Sequence, residues 1–96
     1  MLVHMVAFKY KADVNDTVRA QHCERLRGLK DIDGVVDLKV GSDVVRSVRS
    51  YDAGLLILFV DRAALDAYQK HARHVPVAQF GVANCESIVA VDFESQ

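Results

Sequence analysis

Of the side chains that handle protons or act as nucleophiles near neutral pH, this sequence offers four histidines and two cysteines, with three tyrosines as hydroxyl donors. The histidines are His4, His22, His71 and His74, and the cysteines are Cys23 and Cys85. Tyr68, His71 and His74 follow one another at steps of three, so at least two of them can reach one space if a helix carries them. A neutral imidazole takes a proton from a carbon acid or a hydroxyl, and a phenol donates to an enolate or carbonyl oxygen as charge builds there. A His and a Tyr in an apolar cleft therefore suffice for proton transfer without a cofactor, and none is expected.

Each of these residues also has a structural reading. His4, in an apolar stretch, reads equally as a core histidine bonded to backbone. His22 reads first as a core residue, and Tyr68 as an inward aromatic whose hydroxyl finds a partner at the rim. His71-x-x-His74 with His4 would supply the three nitrogens of a catalytic zinc. No HExxH motif, clustered cysteine or regularly offset carboxylate accompanies them, so no metal is expected. Cys23 neighbours His22, but adjacent residues on a helix diverge by about 100° and make a poor nucleophile–base pair. Cys23 and Cys85 form no CxxC motif and read as free thiols of a reducing compartment. Gly-rich phosphate loops are absent.

Positioning these groups falls to a simple succession of elements. Leu2 to Tyr10 is apolar on both alternating sets, Leu2/His4/Val6/Phe8 and Val3/Met5/Ala7, as in a strand covered on both sides. Asn15 or Asp16 caps a helix with an inward stripe of Val18, His22, Leu26 and Leu29, ending near Asp31 before Gly34. Val35 to Val44 alternates like a strand with one wetter face or at a sheet edge. Tyr51 to Val60 reads as a second central strand. Asp61 caps a helix with Ala64, Leu65, Tyr68, His71 and Ala72 on one face, interrupted at His74 and Pro76. Pro76 suits the first turn of a short helix over Val75 to Val82, and Cys85 to Glu94 is the last strand.

The order β-α-β-β-α-β defines an α+β fold, the ferredoxin-like sandwich, with both helices on one face of an antiparallel sheet and the first and third strands in its middle. The two strands apolar on both faces are the first and third, so pattern and topology agree. On the helix-covered side, His4, Tyr68 and His74 would share a gap between sheet and helices. On the other side, Val3, Met5, Ala7 and half of the third strand would be bare, and such a patch exceeds what monomers usually expose. A homodimer packed sheet against sheet is expected; the alternative is shielding by the Arg46 to Ser50 loop and the tail.

The whole chain, residues 1–96, reads as one domain. Its 12 basic and 13 acidic residues give a formal charge of −1, so no excess recruits nucleic acid or an anionic membrane. No apolar stretch is long enough to span a bilayer as a helix, and the opening segment lacks the marks of a signal peptide. A cytoplasmic location is the simplest expectation.

The opening VHMVAFKYK, the central VGSDVVRSVRSYDAGLLILF, the segment LDAYQKHARHVPV and the closing ESIVAVDFE together resemble the stress-responsive A/B barrel (Dabb) family over nearly the whole chain. The most specific parts are the early strand His, the G-x-D-x-x-R-S-x-R-S-Y-D segment from Gly41 to Asp52, and the Tyr-x-x-His-x-x-His run of Tyr68, His71 and His74. The resemblance implies a protomer that dimerises through its sheet into an α+β barrel. Most members have no established activity and several are linked to stress responses. One branch contains plant polyketide cyclases that perform a cofactor-free aldol closure between sheet and helices. Carried over to this sequence, that branch makes His74 the general base, has His4 and Tyr68 orient or stabilise the substrate oxygen, and puts His71 near the site. His22, Phe8 and Leu26 join His71 as expected ligand-lining residues.

The chain departs from the family in two places. Ala72-Arg73 stands between the histidines where a proline is commoner, and His22 and Cys23 stand where a long-chain substrate would want bulky apolar lining. Three readings follow: a barrel binding a small apolar or carbonyl-bearing molecule; a cofactor-free acid/base enzyme acting as cyclase, isomerase or monooxygenase; and a non-catalytic structural dimer, which requires a filled core.

Overall fold

The structure, a computed structural model, describes residues 1–95. Its elements are β1 (Leu2–Tyr10), α1 (Asp16–Arg27), β2 (Val35–Ser42), β3 (Ala53–Phe59), α2 (Arg62–Lys70), α3 (His74–Asn84) and β4 (Cys85–Glu94). The strands form one sheet in the order β2-β3-β1-β4, every neighbouring pair antiparallel. The fold is ferredoxin-like, with β1 and β3 central as their two-sided apolar pattern requires.

Local chemistry sets the helix boundaries. The Asn15 side chain accepts the Val18 N–H at 3.0 Å and starts α1, while Asp61 accepts the Ala64 N–H at 2.8 Å and starts α2. Helix α1 stops at Arg27 rather than near Asp31, with Gly28 as its C-cap. Leu29 and Ile32 still reach the core, from turns. Gly34 turns the chain into β2 with φ of 90°, and a Cβ there would lie 2.6 Å from that of Ala64. Helix α3 is longer than the expected Val75 to Val82, because nothing in VPVAQFGVAN breaks it before Cys85 opens the last strand. Pro76 sits in its first turn, where the missing N–H costs nothing. Strand β3 starts at Ala53 rather than Tyr51, and Asp52 just before it still bonds both flanking strands' ends, donating to the Phe8 carbonyl and accepting from the Asp43 N–H.

The core lies between sheet and helices. Phe8, Leu26, Leu55, Ile57, Phe59, Leu65 and Tyr68 are all buried there. Across the sheet, Val3, Met5 and Ala7 of β1 pair with Leu58, Leu56 and Gly54 of β3 and with Phe93, Val91 and Val89 of β4. No helix covers that face, and Met5, Val89, Val91 and Phe93 are 41 to 55% exposed. Val3, expected to be bare, is instead buried at 7% exposure, and Ala7, Leu56 and Leu58 are half-buried, so the chain shields part of this face but leaves the four side chains above in water. No helix among the described residues is long and apolar enough to cross a membrane.

Candidate functional site

The helix-covered face of β1 presents His4, Val6 and Phe8 toward the helices, with Tyr68 of α2 beside His4 and His22 of α1 beside Phe8. Opposite His4 in register stand Ile57 on β3 and Asp92 on β4. His4 Nδ1 hydrogen-bonds the Asp92 carboxylate, and the imidazole is buried to 6% exposure. A carboxylate only accepts, so Nδ1 carries a proton and Nε2 is the atom left to face a ligand.

Tyr68 lies on the inward side of α2 and is 1% exposed. Its ring centroid is 4.3 Å from that of His74, 6.2 Å from that of His4 and 5.1 Å from that of Phe59. Burial pushes the phenol well above its ordinary range, so it remains a donor. Its hydroxyl makes no hydrogen bond to the protein among the described residues. His74 opens α3 and donates Nδ1–H to the Gln69 carbonyl at 3.2 Å, which leaves Nε2 unprotonated in the neutral ring. Burial lowers its proton affinity; the Gln69 carbonyl opposes this, and the nearby His4 and His71 reinforce it.

These groups share a cavity of about 230 Å³. Its walls include His4, Phe8, His22, Leu26, Tyr68 and His74, and the rest is aliphatic apart from Gln69. The volume is below the roughly 300–1,000 Å³ of drug-sized ligand pockets, so only a compact molecule fits. A larger apolar groove, lined by Met5, Leu56, Val89 and Val91 among others, lies on the helix-free face and contains no proton-handling group other than Lys39.

His22 occupies the far wall. It is 1% exposed, hydrogen-bonds the Tyr10 hydroxyl at 2.7 Å, and has burial and Arg25 lowering its proton affinity. Its Nε2 would lie 3.0 Å from a Cβ on Gly81, so α3 packs directly on the ring. His22 thus both lines the cavity and serves as a core histidine. His71 is not brought to the cavity. Helix α2 ends at Lys70, and His71 caps it with its ring Nδ1 accepting the Arg73 N–H. The spacing of three would have aligned Tyr68, His71 and His74 on one continuous helix, but Tyr68 and His74 belong to two.

Asp92 and Tyr10 are the partners that sequence reasoning missed. Asp92 is a lone carboxylate within the apolar run SIVAVDF. The order of strands places it beside β1, but its match to His4 depends on a register that shifts at Lys9/Tyr10. Among the described residues, no three His, Cys, Asp or Glu side chains converge as a metal ion would require.

An antiparallel sheet with helices on one face, a bare apolar opposite face and a His/Tyr cavity beneath the helices defines a ferredoxin-like α+β domain of the dimeric-barrel kind. The Stress responsive A/B Barrel Domain (Dabb) model matches residues 2–95, and the chain belongs to that family. A dimeric ferredoxin-like protein of unknown function from Jannaschia sp. CCS1 is 29% identical over 98% of both chains, with a TM-score of 0.82. A dimeric protein of unknown function from Bacteroides fragilis NCTC 9343 is 23% identical, covering 98% of this chain and 95% of that one, with a TM-score of 0.85. The hydroxynitrile lyase from Passiflora edulis is 18% identical, covering 96% and 90%, with a TM-score of 0.84. The latter two likenesses speak for the fold alone. No curated protein matches the sequence.

Proposed function

We propose that this Dabb-family chain acts in the cytoplasm as a homodimer joined through its helix-free sheet face, and that its cavity binds a compact, mostly apolar molecule bearing a carbonyl or hydroxyl oxygen. One observation carries the ligand reading. The Tyr68 hydroxyl, on an otherwise buried ring, is open to the apolar cavity and makes no hydrogen bond to the protein among the described residues. A hydroxyl donor that opens into an apolar cavity and has no partner in the protein is available to a ligand oxygen. The apolar sheet face and the dimeric state of the Jannaschia and Bacteroides proteins support the assembly.

A second reading, cofactor-free acid/base turnover on the same ligand, is favoured by the pairing of His4 with Asp92 opposite a His74 that burial keeps neutral. His74 Nε2 would remove a proton, Tyr68 would donate to the oxygen that gains charge, and His4 would orient the ligand. A filled structural dimer is disfavoured by the cavity.

Thermal-shift titration with small phenols, β-diketones and lactones tests binding. A ligand at a hundredfold excess over its Kd adds about 2.7 kcal/mol of stability, and Tyr68→Phe should weaken the response. The reading fails if no class of compound raises the melting temperature, or if Tyr68→Phe responds as the native chain does.

A further inference from the structure

The segment from Gly41 to Asp52 carries the most specific polar spacing in the chain, yet none of it lines the cavity. Its polar members bond one another. The Asp43 carboxylate accepts the Arg46 N–H at 2.6 Å, the Arg46 guanidinium donates to Asp52 at 2.8 Å, and Ser50 Oγ accepts the Ser47 N–H at 3.0 Å. Two further bonds of 2.8 Å pin the segment to the sheet: Tyr51 Oη to Ser87 Oγ of β4, and Asp52 N–H to the Phe8 carbonyl of β1. Arg46 holds φ of 55°, the left-handed region that a non-glycine residue enters only when its surroundings impose it. The loop is therefore framed, and what the frame displays is Val44, Val45 and Val48 at 90, 74 and 102% exposure.

Three valines held in water by an ordered frame make a surface that gains by being covered. Its position indicates the occupant. Val44 lines a hollow together with Ala7, Gly41 and Gly54, and the same three residues also line the apolar groove of the helix-free face. A projecting apolar arm and an apolar groove thus adjoin on one face of one chain. In a twofold pair the arm of each copy meets the other copy, and both contacts form together. Resting on the dimer proposed above, we infer that the 43–52 loop is a dimerisation arm whose valines seat on the partner copy.

Because these valines are almost wholly solvent-exposed, replacing them does not threaten the fold of the single chain. Sedimentation equilibrium from micromolar to millimolar concentration would compare the native chain, Val45→Glu/Val48→Glu, and Val91→Glu in the middle of the sheet face, with circular dichroism as the check on folding. The native chain should be dimeric and Val91→Glu monomeric. The loop variant should dimerise at least ~10-fold more weakly with an unchanged spectrum, as expected when apolar anchors are lost. A loop variant with native affinity beside a monomeric Val91→Glu overturns the arm and leaves the sheet dimer standing. A native chain that stays single at every concentration overturns both.

Discussion

His4 and His74 have the same polarity: each commits Nδ1–H to an acceptor, one to the Asp92 carboxylate and the other to the Gln69 carbonyl. Their partners differ: the first acceptor is a carboxylate on the neighbouring strand, the second a peptide carbonyl at the end of α2. Burial keeps the His74 ring neutral, so its Nε2 lone pair is free to take a proton from a ligand. With a carbon-acid ligand, His74→Ala should slow solvent deuterium exchange of the acidic proton by ~10²-fold or more; an unchanged NMR exchange rate removes His74 as the base. Stability should also respond to pH. Burial lowers proton affinity at both His22 and His74 from the ordinary 6.5. Below that pH the unfolded chain binds protons that the folded chain resists, so stability is full above it and declines as pH falls. Urea unfolding from pH 7.5 to about 5 should show this decline, and His74→Gln should make it shallower while the His22 contribution remains; a level native profile contradicts the assignment.

At the scale of elements, the cavity depends on the break between α2 and α3. A continuous helix would have carried His71 inward; instead α2 stops at Lys70, and the chain turns with Arg73 bonded to Asp31 and to the Gly28 carbonyl, so that α3 begins with His74 over Tyr68. The Asp61 cap fixes the other end of α2 and so the placement of Tyr68. Asp61→Ala should lower unfolding free energy by about 1 kcal/mol, seen as a reduced urea midpoint at unchanged slope. A variant as stable as the native chain would mean that packing of Leu65 and Tyr68 alone sets this helix. The break was only half legible: His74 and Pro76 marked it, but the early stop at Lys70 follows from tertiary contacts of the turn rather than from any breaker in Tyr68 to Arg73.

At the scale of the whole molecule, a four-stranded sheet with helices on one side leaves half of its apolar surface to solve by other means. Each aliphatic side chain covered there is worth ~1.5–3 kcal/mol, a large share of the stability of a 96-residue domain. In the proposed homodimer a second copy covers that face and leaves the helix side to the cavity, so assembly and ligand binding would use opposite surfaces of one sheet. The sequence alone determined the order of elements, the two central strands, the bare face and the residue types of the site, because alternation and capping are local and each strand's faces follow from its own period of two. Only the tertiary structure decided that Asp92 holds His4, that His22 meets Tyr10, that His71 stands apart and that the 43–52 valines project beside the sheet. Those outcomes depend on strand register, on a bulge at Lys9/Tyr10 and on the angle between two helices, which are set by how distant segments pack and leave no local trace in the chain.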